Sequence, residues 1–157
     1  MLWRSGVALA HEVAEAELEG LRVVELGCGL GVPSLAAARR GAEVLATDAS
    51  AEALELLERN ARENRLTVET ARVAWDDAGE LVARGPFDLV LAADVLYERA
   101  SVADLLALFP RLGGEAWVAD PGRPPVAAFH EGAERRGWSV STSVRDAVDI
   151  HRFTATA

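Results

Sequence analysis

Apolar residues cluster into short runs that alternate with helical spacing, and this alternation dominates the chain. Val23 to Leu26, Val44 to Ala46, Val68 to Ala74 and Phe87 to Ala93 read as strands, and the last is a continuous apolar run of the kind buried on both faces. A fifth strand is predicted at Ala116 to Ala119, and two more at Trp138 to Val144 and Val148 to Phe153, joined through Arg145-Asp146 as a hairpin. Helical spacing is found over Val7 to Glu19, closed by Gly20, and from Ser50 as cap through Ala53, Leu54, Leu57 and Ala61 to about Asn64. It recurs from a Ser101 cap to a stop at Pro110, and over Val126 to Arg136 before Gly137. Strands that alternate with helices predict an α/β fold: a Rossmann-like three-layer sandwich around a mostly parallel seven-stranded sheet with one antiparallel strand.

The stretch with most chemistry is Val23 to Asp48. A buried strand carrying one acid, Glu25, runs into Gly27, Gly29 and Gly31, and Pro33 suits the first turn of the helix that follows. Glycines at alternate positions let the backbone turn tightly and approach a ligand, and the helix start behind them offers free N–H groups. Asp48 ends the next strand, where an adenosine ribose would present its hydroxyls. The dinucleotide fingerprint would need a third glycine where Val32 stands, which leaves a nicotinamide enzyme with a degenerate loop as a weaker alternative. With no lysine in the chain, a phosphate-cradling P-loop is excluded. Glu25 would repel a pyrophosphate but suits a cationic amine, held directly or through water.

Composition narrows the partners. At 157 residues the chain fits one domain, 1–157, with an N-terminal segment and helix over 1–20 and a core over 21–157. The net charge is −9 and the arginines are scattered, so nucleic acid is not an expected partner. No apolar run approaches the roughly 18 residues needed to span a bilayer, so no membrane partner is expected either. The start lacks the pattern of a secretory signal and Cys28 is the lone cysteine, from which a cytoplasmic address is expected. Cys28 itself reads as a small packing residue. His11, His130 and His151 lie far apart without cysteine neighbours, so no metal site is expected.

The run Glu25-Leu26-Gly27-Cys28-Gly29-Leu30-Gly31, followed by Ala46-Thr47-Asp48, resembles the first motif and its successor in class I, seven-β-strand methyltransferases. That resemblance implies S-adenosylmethionine as cofactor, with S-adenosylhomocysteine as product, gripped by Glu25, Gly27, Gly29, Gly31 and Asp48. Asp94-Val95-Leu96-Tyr97 matches the Asp-x-x-Tyr motif of the seven-strand lysine methyltransferases, which implies catalytic roles for Asp94 and Tyr97. Trp3-Arg4-Ser5-Gly6 resembles the N-terminal Trp segment of lysine and nicotinamide-type methyltransferases, in which a longer arm precedes it; Trp3 is thereby implied in cofactor binding, with packing at the core edge as the alternative. In the family the end of the third strand receives the adenine, which implies Asp76 as acceptor of its amino group and Trp75 as wall. Asp120-Pro121-Gly122-Arg123-Pro124 is similar to a turn in bacterial nicotinamide-methyltransferase-like proteins and in the lysine methyltransferase of electron-transfer flavoprotein β-subunit, where Arg123 would bind substrate. The expected activity is N-methylation of a protein lysine. The alternatives are a small-molecule amine acceptor and an inactive cofactor-binding partner module.

Overall fold

The computed structural model describes residues 3–156. Seven strands form one sheet: β1 (Arg22–Leu26), β2 (Glu43–Asp48), β3 (Glu69–Arg72), β4 (Leu89–Ala93), β5 (Glu115–Asp120), β6 (Trp138–Arg145) and β7 (Val148–Ala155), in the order β3-β2-β1-β4-β5-β7-β6. The pairs among β1 to β5 are parallel, and β7 runs antiparallel to both β5 and β6. One reversed strand in a seven-stranded sheet is the arrangement expected from the sequence. The helices are α1 (Arg4–Ala14), α2 (Val32–Arg39), α3 (Ala51–Glu63), α4 (Gly79–Ala83), α5 (Arg99–Leu112) and α6 (Pro125–Arg135).

Period-two burial divides the core. Val23, Leu89, Leu91, Ala119 and Ile150 face α1 and α2, while Val24, Leu26, Val90, Ala92, Val118 and Phe153 belong to the opposite layer with α5 and α6. Because β1 and β4 are covered on both sides, β4 reads as an unbroken apolar run and β1 as an apolar run interrupted only by Glu25. α1 is further tied to the terminal hairpin by charge: Arg145 and Arg152 donate to Glu12 at 2.6 and 2.8 Å. Burial works to raise the Glu12 carboxyl, but the hydrogen bonds from Arg152 and Arg145 outweigh it and hold the group below its usual value.

Several boundaries differ from the periodicity. The first helix starts earlier, at Arg4, and ends at Ala14; Leu18 is buried from the connection beyond it, so apolar spacing persisted after the helix stopped. Strand β3 covers only Glu69–Arg72, since Val73 to Asp77 turns away toward the sheet end. Ser101 is not a cap: α5 begins at Arg99, and Ser101 is buried inside its first turn. Pro110 lies inside the helix near its end, where it gives up the N–H bond to the carbonyl four residues before it, but α5 still continues to Leu112. The hairpin turns at Asp146 and Ala147, both with positive φ, one residue beyond the expected joint. Among the described residues, no helix is long and apolar enough to cross a membrane.

Candidate active site

The chain order runs outward from β1 through β2 to β3, then returns to place β4 on the other side of β1. Ligand crevices open at such a reversal, beyond the carboxyl ends of the strands. A cavity of about 630 Å³ lies there, within the usual ligand-pocket range of roughly 300–1,000 Å³. Trp3, Glu25, Gly27, Gly29, Gly31, Asp48, Trp75, Asp76, Asp94, Tyr97 and Arg123 all line it. Every site residue expected from the sequence is therefore in one place, delivered by the ends of five strands and the start of α1.

The glycine loop forms the floor. Gly27, Gly29 and Gly31 have φ of 62°, 51° and 72°, a region that L side chains rarely adopt. A Cβ on Gly27 would press on Trp75 and Val95, at 3.2 and 3.3 Å, whereas one on Gly29 would meet nothing within 4 Å. Asp48 braces the loop, accepting from Gly29 N–H and from Ser50 N–H, each at 2.9 Å. Glu25 is 1% exposed, and its Oε1 accepts from both the amide and the hydroxyl of Ser34 at 3.1 and 2.7 Å. Burial pushes its carboxyl up to about 8, with the Ser34 bonds opposing and the Asp48 charge adding to the rise. Cys28 is buried between the glycines; desolvation, with the carboxylates of Glu25 and Asp48 beside it, pushes the thiol up, so it is no nucleophile at neutral pH.

At the opposite end, Asp94 leaves β4 in the left-handed region, φ 59°, with its N–H on the carbonyl of Ala119 at 3.0 Å. A non-glycine residue held there is strained, a feature that collects at working sites. Nη2 of Arg123 stands 3.0 Å from Oδ1 of Asp94, at ion-pair distance but without hydrogen-bond alignment. Arg123 is aimed by its own turn: fully buried Asp120 accepts from the amides of Gly122 and Arg123 at 2.8 and 2.7 Å. Tyr97 and Trp3 are 57% and 58% exposed, two large rings at the cavity rim. Ser101 and Asp104 also line the cavity and were not expected. Their only sequence signal is polar character three residues apart, hence one face of α5, beside the apolar Val102, Leu105 and Leu106.

Comparison with known proteins agrees with this geometry. The family profile described as lysine methyltransferase matches residues 1–117. The protein N-lysine methyltransferase METTL21A of Danio rerio is 34% identical over 119 residues, covering 71% of this chain and 54% of that protein. The METTL21A of Mus musculus is 35% identical over 113 residues, 68% of this chain and 51% of its own length. A ubiquinone biosynthesis O-methyltransferase of Rhizobium etli is 34% identical over 114 residues, 71% of this chain and 45% of that protein. The chain thus spans about half the length of the curated relatives it matches. In fold it is similar to the ribosomal protein L11 methylase of Lactobacillus delbrueckii subsp. bulgaricus, with a TM-score of 0.83 at 20% identity over 100% of this chain and 81% of that one. It is likewise similar to the magnesium protoporphyrin IX methyltransferase of Synechocystis PCC 6803 with bound SAM, with a TM-score of 0.79 at 20% identity over 97% and 78%. With 117 of its 157 residues matched by the profile, and with this sheet and this motif set, the chain belongs to the lysine methyltransferase family of class I, seven-stranded methyltransferases.

Proposed function

We propose that this chain binds S-adenosylmethionine in the cavity above β1 and transfers its methyl group to the side-chain nitrogen of a protein lysine. The observation that carries the reading is the convergence of Glu25, the three glycines, Asp48, Asp94 and Tyr97 on one crevice. The residues suit the ligand: the floor at Gly29 is open where a Cβ would protrude, and a buried acid, Glu25, borders the cavity without a basic partner among the described residues. In the proposed complex Asp48 takes the ribose hydroxyls, Trp75 and Asp76 the adenine, and Glu25 the amino-acid ammonium. Trp3 covers the entrance. When bound, S-adenosylmethionine supplies an electrophilic methyl on its sulfonium.

The chain's own task is positioning and proton handling. A lysine amine, with a free pKa near ~10.4, must lose a proton before it can attack. Desolvation beside Tyr97 favours the neutral amine, and the Asp94 carboxylate orients its N–H and receives the proton through water. Arg123 keeps that carboxylate fixed and meets an acidic group of the acceptor. One domain carries all these parts. The charge of −9 argues against nucleic acid as the acceptor, and the single free cysteine suits a cytoplasmic setting.

The test is transfer of label from methyl-tritiated S-adenosylmethionine into a lysate, separated into protein and low-mass fractions, with hydrolysis of the protein to find methyl-lysine. We expect methyl-lysine, abolished by Asp94→Ala, while calorimetry shows unchanged affinity for S-adenosylhomocysteine. Equal loss of affinity would move Asp94 to the cofactor. Label in the low-mass fraction would favour the second reading, a small-molecule acceptor, which the similarity to the ubiquinone biosynthesis O-methyltransferase supports. Cofactor binding without any transfer would instead leave a partner module.

A further inference from the structure

The sheet order gives the two sides of the cavity different residues. β2 and β3 lie on one side of β1 and lead to Asp48, Trp75 and Asp76, the residues proposed for the nucleoside, whereas β4 and β5 lie on the other and lead to Asp94 and Arg123. From β4 the chain runs through Asp94 and Tyr97 into α5, whose Ser101 and Asp104 line the cavity and have no part in the proposed chemistry. Three positions apart, they share one helix face. Ser101 is only 6% exposed, yet its hydroxyl has no hydrogen-bond partner among the described residues and is not sealed away from the cavity. Serine inside a helix ordinarily bonds back to the preceding turn or meets water. Asp104 is half-buried beside the buried Val102 and Leu105, and among the described residues no side chain or amide reaches its carboxylate. Asp94, by contrast, already has Nη2 of Arg123 at 3.0 Å. Aspartate is a poor helix former and a half-buried charge without a partner is costly, so nothing in the packing of α5 accounts for this one.

We propose that Ser101 and Asp104 form the binding subsite of the methyl acceptor: the Asp104 carboxylate pairs with the lysine ammonium as it enters, and the Ser101 hydroxyl accepts one of its N–H bonds. The inference rests on the reading of the cavity as an S-adenosylmethionine site with a lysine acceptor. On this side of the cavity the charges of Asp94 and Arg123 cancel, so Asp104 leaves a negative excess that a single ammonium neutralises. Electrostatics also separates the two acids by task. A carboxylate paired with the amine favours its charged form, whereas attack on the methyl group needs the neutral one. Asp104 therefore serves capture, and Asp94 serves the proton transfer that follows. Removing the Asp104 charge should raise KM for the acceptor without lowering kcat. A neutral acceptor of the same length gains nothing from the subsite, which thereby selects alkylammonium groups.

The experiment is isothermal calorimetry on the full chain at neutral pH with two cofactor analogues in which nitrogen replaces the sulfonium sulfur, one bearing an aminoethyl tail and the other a propyl tail of equal length. S-adenosylhomocysteine, which has no tail, is the reference. The wild type should bind the ammonium tail about tenfold more tightly than the propyl tail, and the preference should shrink as salt is added. Asp104→Asn should bring the ratio close to unity while leaving Tm and the affinity for S-adenosylhomocysteine unchanged; Asp104→Glu should restore part of it, and Ser101→Ala should reduce it about threefold. A wild type without preference, or a preference that survives Asp104→Asn, overturns the proposal and spares the cofactor site. Failure of S-adenosylhomocysteine to bind overturns the site reading itself. Should Asp104→Asn fold poorly, a crystal of the wild type with the aminoethyl analogue decides: its ammonium is expected within hydrogen-bond distance of Asp104, and an ammonium held by Asp94 alone overturns the assignment.

Discussion

Gly31→Ala tests how the loop that makes the site is paid for by packing beneath it. Gly31 is the N-cap of α2 with φ 72°, and its N–H donates to the carbonyl of Cys28 at 2.7 Å. A methyl group there would overlap Cδ1 of Leu57 and lie 2.7 Å from its Cγ. Leu57 is fully buried on α3 in a small cluster with Cys28, Ala46 and Leu54, so it has nowhere to retreat. The left-handed backbone costs alanine about 1–2 kcal/mol, and overpacking adds ~1–3 kcal/mol. A loss of about 3 kcal/mol, worth roughly 6–12 °C in Tm for a domain of this size, is expected in urea unfolding and calorimetry. Gly29→Ala is the matched control: its φ is 51°, but its Cβ meets nothing within 4 Å, so only the backbone penalty of about 1–2 kcal/mol applies. Leu57→Ala alone should cost ~2–5 kcal/mol, and combining it with Gly31→Ala should fall short of additivity by about 1–3 kcal/mol, because the clash is gone. Equal destabilisation by the two glycine substitutions, or strict additivity with Leu57→Ala, would refute the packing account.

Asp48→Ala should leave the protein folded but weaken S-adenosylhomocysteine at least tenfold by calorimetry, since it removes the proposed ribose acceptor and the brace on Gly29 N–H; undiminished affinity would remove the ribose assignment. A pH effect is expected at His151, which is 3% exposed with Nδ1 2.9 Å from both Nε2 of His130 and Oγ1 of Thr142, and with no partner for Nε2 among the described residues. Burial lowers both histidines below the usual 6.5, the nearby His130 adding to the effect on His151, while Glu134, Asp149 and Asp120 oppose it. Above about pH 6.5 neither state is charged and stability is intact; as pH falls below it the unfolded chain takes up protons first, and stability drops until the folded histidines titrate. Urea unfolding from pH 7.5 to 5.5 should show a shallower acid loss for His151→Phe than for the wild type, and identical slopes would sink the assignment.

Much of the fold was legible because its signals are local. The continuous apolar run of β4, and the run of β1 broken only by Glu25, report burial on both faces, and the strand–helix alternation from Val23 to Asp48 needs little beyond period and glycine spacing. Helix ends were less legible. Leu18 is as apolar as any core residue of α1, but it packs from a turn; Ser101 has a capping side chain but lies inside α5, where burial against the cavity side outweighs capping preference. Ser101 and Asp104 were missed as cavity residues for the same reason: two polar positions on a helix say nothing of what they face.

By itself the amino-acid sequence determined the element types, the class of sheet and many of the residues that line the cavity, because hydrophobic period, glycine conformation and strand-end acids are properties of neighbouring residues. Only the tertiary structure decided that Ser34 donates to Glu25, that Asp120 aims Arg123 at Asp94, and that His130 reaches His151. Those contacts join elements far apart in the chain, and their energies depend on burial and on which charges share a low-dielectric space, quantities that exist only once the sheet and its two helical layers have closed.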